Sequence, residues 1–275
     1  MTEPFLKWPG GKRWAAKLIA DLVRSHLSGR YFEPFLGGGA VFFELQPREA
    51  TLSDVNTDLV NTYAQVRDQS SAIRKLLKTM RVTKRDYYRV RRSEPTDAVE
   101  RATRFLYLNR TAFAGMYRVN RAGRFNVPYG GGDRTPESLW NTSLLTDARA
   151  ALARVELVVS DFEPMLDRAE EGDVVYCDPT YTVAHDNNGF VRYNERNFSW
   201  DDQRRLSNAA KRAATRGATV IVSNAFHESI RKLYAPYQGE RLERQSLISP
   251  NIQARRLVAE YLLVVAPKRS RATLR

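Results

Sequence analysis

The sequence predicts an α/β protein built on a doubly wound, mostly parallel sheet that carries a helical and β-hairpin insertion. Short apolar runs rich in β-branched residues recur along the chain with helical patterns between them, as in a parallel sheet covered on both faces. This alternation stops in one basic stretch, where helical patterns follow one another and a glycine-containing hairpin pattern comes next. The stretch is therefore interpreted as an insertion into the α/β domain.

The strands and helices of the main domain are predicted from these runs. The strands are one that begins YFEPF (31–35), then TLSD (51–54), ELVVS (156–160), DVVYCD (173–178), TVIVSN (219–224) and EYLLVVA (260–266). Apolar residues at helical spacing predict helices over 14–27, 56–68, 144–154 and 202–216. The last two strands can add an antiparallel edge to the sheet.

The insertion begins after the second predicted strand. From 56 to about 110 it has the pattern of consecutive helices, with apolar residues between Ile73 and Met80 spaced for one helix face. The segment FAGMYRVNRAGRFNVPYGGG then predicts a hairpin with its turn at Arg121-Ala122-Gly123. The predicted boundaries are 1–55 with 145–268 for the main domain, 56–144 for the inserted domain and 269–275 for a disordered basic tail.

Length and composition indicate a globular, intracellular and metal-free protein. The 275 residues fit one large α/β domain with an insertion, and 43% are hydrophobic. The start MTEPFLKW has no basic run followed by an apolar stretch, so no secretory signal is expected, and no apolar segment approaches the roughly 18 residues of a membrane span. Cys177 is the single cysteine and the three histidines are scattered, so neither an internal disulfide nor a metal-binding cluster is expected.

The positive charge is concentrated in the insertion. The chain carries a net charge of +13, and residues 72–134 alone hold 16 Lys/Arg against 5 Asp/Glu, a net +11. A local basic excess attracts nucleic acid through counterion release. A solvated helical face would explain the charge equally well.

A glycine triplet indicates a ligand-binding turn. Gly37, Gly38 and Gly39 follow a predicted strand and precede a helix, where doubly wound sheets bind their ligands. A dinucleotide fingerprint would need a third glycine at Phe42, which disfavours NAD, and a phosphate-binding P-loop around Gly10-Gly11-Lys12 lacks its first glycine and its Ser or Thr. Taken alone, the triplet can equally be a tight structural turn.

Asp54 lies at the end of the next strand, 17 residues beyond Gly37. An acid in this place accepts hydrogen bonds from ribose hydroxyls. The ligand then contains a ribose and needs no pyrophosphate cradle, a description that S-adenosyl-L-methionine fits. Asp54 can also be the N-cap of the helix predicted over 56–68.

The tetrad Asp178-Pro179-Thr180-Tyr181 ends a strongly apolar strand. An exocyclic base amine is a poor nucleophile because its lone pair is delocalised into the ring. The Asp178 carboxylate and the Pro179 carbonyl can each accept one N–H bond, which would aim the lone pair at a sulfonium methyl group. Tyr181 can stack on a base rotated out of the duplex. By itself Asp-Pro can be a simple turn after a strand. Together with the glycine turn, Asp54 and the basic insertion, the tetrad is better explained by a catalytic role.

Six motifs resemble the DNA adenine methyltransferase (Dam) family of bacteria and phages, in the class whose cofactor motif precedes the recognition domain and the catalytic motif. They are FLKWPGGK (5–12), EPFLGGGAVF (33–42), SDVNTDLVNTY (53–63), NRTAFAGMYRVNRAGRFNVPYG (109–130), DPTY (178–181) and SNAFH (223–227). The resemblance covers residues 5 to about 265. It implies a Rossmann-like methyltransferase fold that methylates adenine N6 and converts S-adenosyl-L-methionine to S-adenosyl-L-homocysteine without a metal. The implied partner is double-stranded DNA, with no membrane, and the protein is expected to be a monomer.

The resemblance also implies roles for individual residues. The implied cofactor-binding residues are Trp8, Lys12, Glu33, Pro34, Phe35, Gly37, Gly39, Asp54, Asp161, Phe162 and Asp178. The implied catalytic residues are Asp178, Pro179 and Tyr181. The implied DNA-binding residues are Lys7, Arg110, Phe113, Met116, Arg118, Asn120, Arg124 and Asn126. Arg118 matches the family's guanine-reading arginine and Lys7 a base-contacting lysine, so GATC is the expected site.

Two departures from the family pattern leave alternatives open. Thr180 stands where the family usually has a second proline, with some loss of loop rigidity expected, and Ala114 stands where a polar residue helps to fill the space around the extruded base. One alternative changes the acceptor to cytosine N4 or an amine in RNA, although Asp178 favours adenine. The other is a non-catalytic DNA-binding protein on a decayed methyltransferase fold.

Overall fold

The computed structural model describes residues 2–120, 122–132, 135–136, 140, 142–182, 198–245 and 257–267. Two parts of the sequence predictions lie outside these residues. They are Arg121 of the predicted turn and the predicted tail over 269–275.

Nine α-helices and seven strands are formed by the described residues. Helices α1–α9 are Ala16–His26, Ala40–Leu45, Thr57–Thr79, Lys84–Arg92, Ala98–Thr111, Thr142–Leu152, Phe162–Asp167, Trp200–Thr215 and Glu228–Tyr234. Strands β1–β7 are Tyr31–Glu33, Ala50–Asp54, Val155–Val159, Val174–Cys177, Thr219–Ala225, Gly239–Gln245 and Leu257–Val265. A short 3-10 helix over Phe113–Gly115 follows α5.

The seven strands form one mostly parallel sheet in the order β3-β2-β1-β4-β5-β7-β6. The pairs β2–β3, β1–β4 and β4–β5 are parallel, whereas β7 is antiparallel to both β5 and β6. Every residue of β4 is buried, as expected for a strand covered on both faces. The predicted α/β fold class is confirmed, including the antiparallel arrangement of the last predicted strand.

The chain divides into two compact units. The first, residues 1–24 and 36–159, contains the β2–β3 pair and helices α2–α6. It also contains residues 112–130 after α5, named the recognition segment for the role that the resemblance implies. In this segment two isolated antiparallel bridges join Ala112 to Tyr129 and Val119 to Phe125. The predicted hairpin is therefore present as two arms with sparse pairing.

The second unit, residues 25–35 and 160–275, contains the five strands β1-β4-β5-β7-β6 and helices α7–α9. Helix α8 begins with a capping box, in which Ser199 Oγ accepts a bond from Asp202 N at 3.1 Å and Asp202 Oδ2 one from Ser199 N at 2.9 Å. Its alanine-rich face packs into the core of this unit through Ala209, Ala210 and Ala213. The predicted functional division into 1–55 with 145–268 and 56–144 stays a prediction.

Helix α3 and strand β6 differ from the sequence prediction. The helix predicted over 56–68 extends to Thr79, with non-helical backbone angles at Gln69 (φ −129°, ψ 26°). The prediction ended where this interruption begins. Strand β6 has the sequence GERLERQ and was not predicted, because an edge strand paired on one side needs few apolar residues.

Candidate active site

The glycine turn after β1 requires glycine for two reasons. Gly37 and Gly39 have positive φ angles of 45° and 63°, which L side chains rarely adopt. A Cβ atom at Gly37 would lie 2.8 Å from Cδ1 and Nε1 of Trp8, so the Trp8 indole packs directly on the turn. Trp8 in turn stacks on Tyr117 of the recognition segment, with ring centroids 5.3 Å apart and an interplanar angle of 20°. Within the first unit, Trp8 thus links the glycine turn to Tyr117 of the recognition segment.

Asp54 connects the glycine turn to the start of α3. Its Oδ2 accepts a hydrogen bond from Gly37 N at 3.1 Å and its Oδ1 one from Asn56 N at 3.0 Å. The N-cap of α3 is Asn56, whose side chain accepts bonds from Asp58 N and Leu59 N, so the interpretation of Asp54 as the cap is wrong. Burial raises the pKa of Asp54, opposed by the backbone N–H bonds that it accepts.

Lys12 is buried, with only 5% of its surface exposed. Its Nζ donates to the Gly10 carbonyl at 3.3 Å. A buried ammonium is costly unless hydrogen-bond acceptors surround it, which favours a role in holding a ligand or the adjacent loop.

The carboxyl end of β1 lies in the second unit. Glu33 is buried and accepts a bond from Tyr31 Oη at 2.8 Å, and Pro34 beside it is also buried. Phe35 belongs to a cluster of three rings with Phe162 and Phe198, whose centroids lie 5.4–5.6 Å apart. These rings form an apolar wall at the end of β1.

Asp161 and Phe162 have structural partners in the second unit. Asp161 is the N-cap of α7 through a 3.0 Å bond from Glu163 N, and it also accepts a bond from Arg205 Nη2 at 2.9 Å. Phe162 is 3% exposed within the three-ring cluster, and the Arg205 guanidinium lies 4.8 Å from its ring centroid. Their role in binding the cofactor stays a prediction.

The tetrad follows β4 directly, as the sequence predicts. Asp178 is partly exposed, Pro179 buried and Thr180 exposed. Thr180 therefore occupies the tetrad position at which a side chain of different shape disturbs the packing least.

Tyr181 is fixed by the last strand of the second unit. Its hydroxyl donates to Glu260 Oε2 at 2.8 Å. Burial raises the pKa of Tyr181 well above its ordinary value, and the charges of Asp178 and Glu260 raise it further. Tyr181 thus stays a neutral phenol that can donate a hydrogen bond.

Several acids of the second unit act on one buried tyrosine. Tyr176 lies in β4 with its hydroxyl 2.9 Å from Ser223 Oγ. Burial raises its pKa, and the charges of Asp178, Glu33 and Glu260 add to the effect. The charges of Asp178, Glu33 and Glu260 therefore all raise the pKa of Tyr176. Glu260 was not predicted as a site residue.

Arg118 is held in the hairpin by Asn126. Arg118 Nε donates to Asn126 Oδ1 at 2.8 Å, and Asn126 N donates to the Arg118 carbonyl at 3.0 Å. With Nε engaged in this way, the guanidinium can present its two terminal nitrogens as a fork. Asn120 Oδ1 accepts bonds from Ala122 N and Arg124 N at 3.0 Å each, so this side chain shapes the turn.

The other predicted DNA-binding residues divide into exposed and internal ones. Phe113 is 55% exposed, Met116 is partly exposed, and exposed Arg124 lies 3.4 Å from Glu94. Arg110, by contrast, donates to the Phe5 carbonyl at 2.7 Å, and burial lowers its pKa. Through this contact Arg110 joins α5 to the N-terminal motif over 5–12.

Lys7 lies against the recognition segment. Its main chain exchanges two bonds with the Asn109 side chain, at 2.9 and 2.7 Å, and a Cβ atom at Gly115 would lie 2.6 Å from Lys7 Cδ. Gly115 is therefore needed for this close approach. Asn109 and Tyr117 lie within the motif over 109–130 but were not identified as site residues, because a motif match does not show which of its residues position others.

Comparisons with known proteins show the family to which the chain belongs. A family model described as D12 class N6 adenine-specific DNA methyltransferase matches residues 8–248. The type II methyltransferase M1.LlaDCHI of Lactococcus lactis subsp. cremoris is 35% identical over 251 residues, covering 88% of this chain and 87% of that protein. The type II methyltransferase M.MjaIII of Methanocaldococcus jannaschii is 31% identical over 271 residues, covering 90% and 93%.

A DNA adenine methylase of Vibrio cholerae serotype O1 is 32% identical over 273 residues, covering 96% of each chain. These matches confirm the resemblance drawn from the six motifs. The chain belongs to the D12 class of N6 adenine-specific DNA methyltransferases.

Proposed function

We propose that this protein binds S-adenosyl-L-methionine and double-stranded DNA, and methylates N6 of an adenine that it has rotated out of the duplex within GATC. The position of Asp178-Pro179 at the end of β4, with Tyr181 hydrogen-bonded beside it, carries this proposal. The family supplies the reaction class, adenine N6 methylation of DNA. The roles proposed for individual residues rest on their positions and contacts.

The tetrad would act by positioning the amine. The Asp178 carboxylate and the Pro179 carbonyl each accept one N6–H bond, which localises the nitrogen lone pair. S-adenosyl-L-methionine supplies a sulfonium methyl group as the electrophile. Its sulfur would be the leaving group when N6 takes up the methyl group, and the proton that N6 loses would pass to water. Tyr181 offers its ring to the face of the extruded base.

The cofactor would be held by the glycine turn and the residues around it. Gly37 and Gly39 let the ligand approach the backbone, and Asp54 accepts bonds from the ribose hydroxyls. Asp54 already accepts bonds from Gly37 N and Asn56 N, so its carboxylate is fixed in direction. The remaining proposed contacts are Trp8, Lys12, Glu33, Pro34, Phe35, Asp161, Phe162 and Asp178.

Base recognition would come from the recognition segment and the adjacent N-terminal motif. The Arg118 fork matches O6 and N7 of guanine, and Lys7 provides a second base contact. Met116 and Phe113 present apolar surface next to them. The protein would act on DNA as a monomer.

The test is methyl transfer from labelled S-adenosyl-L-methionine to unmethylated duplexes that contain GATC or a one-base variant of it, followed by nucleoside analysis. We expect N6-methyladenine in the GATC duplex only. Label in cytosine, or only in RNA, would contradict the choice of adenine in DNA, and equal label in all duplexes would contradict the choice of site.

Asp178→Ala is expected to abolish methylation while leaving part of the cofactor binding, because the carboxylate that orients the amine is lost. The rate is measured with the same labelled assay and cofactor binding by calorimetry. A rate unchanged from that of the wild-type protein would place the chemistry elsewhere. Binding of DNA and cofactor with no methyl transfer by the wild-type protein would show a non-catalytic relative.

A further inference from the structure

Glu260 is a buried acid in an apolar strand. It lies in β7 opposite Ala225 of β5 and Leu242 of β6, and only 3% of its surface is exposed. A carboxylate in such a place is costly unless it is hydrogen-bonded. The Tyr181 hydroxyl provides such a bond at 2.8 Å. The acid thus joins the last described strand of the sheet to the tetrad after β4.

The described part of the tetrad segment has a second side-chain anchor next to Tyr181. The preceding Thr180 is exposed, and threonine does not fix its backbone angle as proline would. The next contact along the chain is Thr182 Oγ1, which donates to the Phe198 carbonyl at 2.6 Å. The side chains of Tyr181 and Thr182 therefore both hold the backbone that follows Thr180.

The hydroxyl bond restrains the ring as well as the chain. A tyrosine ring turns about two side-chain torsions, and a bond at Oη fixes the first, which sets the direction of the ring axis. The second torsion turns the ring about that axis, and the bond restrains it because a phenol O–H prefers to lie in the plane of its ring. Since the pKa of Tyr181 is raised, the hydroxyl keeps its proton and donates to the acid. A bond from a neutral donor to a carboxylate is stronger than one between neutral groups.

We propose that Glu260 is a positioning residue that holds the Tyr181 ring in the plane on which the extruded adenine stacks. The inference rests on the proposed function, in which Tyr181 receives the base. Glu260 itself touches neither the base nor the cofactor in this role. Its proposed effect on the reaction is exerted through the Tyr181 hydroxyl.

The experiment compares four variants of the full chain, and a control, with the wild-type protein by steady-state methylation of a GATC duplex. Glu260→Ala and Tyr181→Phe each remove the bond from one side, and Glu260→Gln keeps an acceptor oxygen. The double variant, Glu260→Ala with Tyr181→Phe, completes a thermodynamic cycle. Tyr107→Phe is the matched control, since it removes a hydroxyl bond of equal length from another buried tyrosine, to the Arg81 carbonyl at 2.8 Å in the first unit.

We expect kcat to fall about tenfold in Glu260→Ala and in Tyr181→Phe, with the KM for the cofactor unchanged, as for the loss of one charge-assisted bond. The double variant should fall no further than either single variant, because both remove the same bond. Glu260→Gln should recover to within about threefold of the wild-type kcat, and Tyr107→Phe should stay within about twofold.

Losses that multiply in the double variant would overturn the proposal, as would a Tyr181→Phe protein with wild-type kcat. If Glu260→Ala does not fold, Glu260→Gln and Tyr181→Phe decide: the proposal requires activity in the first and a loss in the second. A wild-type protein that methylates no adenine would contradict the proposed function instead. The two failures are therefore distinguishable.

Discussion

At the residue scale, backbone groups of the fold orient the carboxylate of Asp54. Its carboxylate is oriented by two backbone N–H groups, from Gly37 and Asn56. Burial disfavours the charged form and raises the pKa above its usual 3.8. The group that would receive the ribose hydroxyls is therefore directed by the backbone and takes up a proton more readily than an exposed aspartate.

This balance predicts a pH dependence of cofactor binding. As the pH falls from 7 towards the raised pKa, Asp54 becomes protonated and loses its charge, so the affinity for S-adenosyl-L-methionine should fall at a higher pH than an ordinary aspartate would allow. Asp54→Asn should bind more weakly at pH 7, by about 1.5–3 kcal/mol, and lose most of the pH dependence. Calorimetric titration from pH 7 to 5 measures both. Thermal melting without cofactor at each pH serves as the control for folding, and a variant as pH-dependent as the wild type would exclude Asp54 as the titrating group.

At the element scale, the recognition segment fixes the direction of the partly exposed Arg118 side chain. The bond from Arg118 Nε to Asn126 Oδ1 crosses the two arms, and Asn120 closes the turn. Arg118→Ala should therefore relax discrimination at one guanine position of the site. The expected cost for the correct duplex is about 1–3 kcal/mol, with little change for a duplex that already lacks that guanine.

The measurement is the binding of GATC and its single-base variants in the presence of S-adenosyl-L-homocysteine. Asn120→Ala is the comparison, since it weakens the turn without removing the fork and should act through hairpin stability. Equal weakening on every duplex by Arg118→Ala would make Arg118 a phosphate contact.

The elements with strong apolar patterns were predictable from the sequence, whereas the weakly patterned ones were not. Strand β4 is buried on both faces, so VVYC is continuous and apolar. Strand β6 lies at an edge with the sequence GERLERQ, where alternation of charge hides a strand. The interruption at Gln69 ended the predicted helix early, although packing carries α3 on to Thr79.

The predictability of the site follows a related rule. Glycines with positive φ and the Asp-Pro tetrad leave a local signature, because the backbone or the chemistry demands those residue types. Glu260 was visible only as the first residue of a predicted strand, and its link to Tyr181 spans 79 positions of the sequence. Such a contact is set by the strand order and register, which a single sequence does not specify.

At the scale of the whole molecule, charge is distributed unevenly. The segment 72–134, which holds most of the net +13, lies within the first compact unit. In the second unit, described arginines such as Arg205 and Arg212 are paired with Asp161, Glu163 or Asp167. In α4, by contrast, Lys84, Arg85 and Arg92 are exposed in a helix whose single acid, Asp86, pairs with Arg89. Most of the net positive charge thus lies in the segment 72–134.

This distribution predicts how DNA binding responds to salt. Replacing Lys84, Arg85 and Arg92 by alanine should weaken binding on all sequences alike, because phosphates carry no sequence information. The slope of log K against log salt concentration should become less steep by about one for each DNA phosphate that the variant no longer neutralises. Fluorescence anisotropy with GATC and non-GATC duplexes between 50 and 200 mM salt measures the slope. The control is Arg204→Ala with Lys232→Ala, two exposed basic residues of the second unit. An equal change in slope for this control, or a loss of affinity confined to GATC in the α4 variant, would contradict a phosphate-binding role for α4.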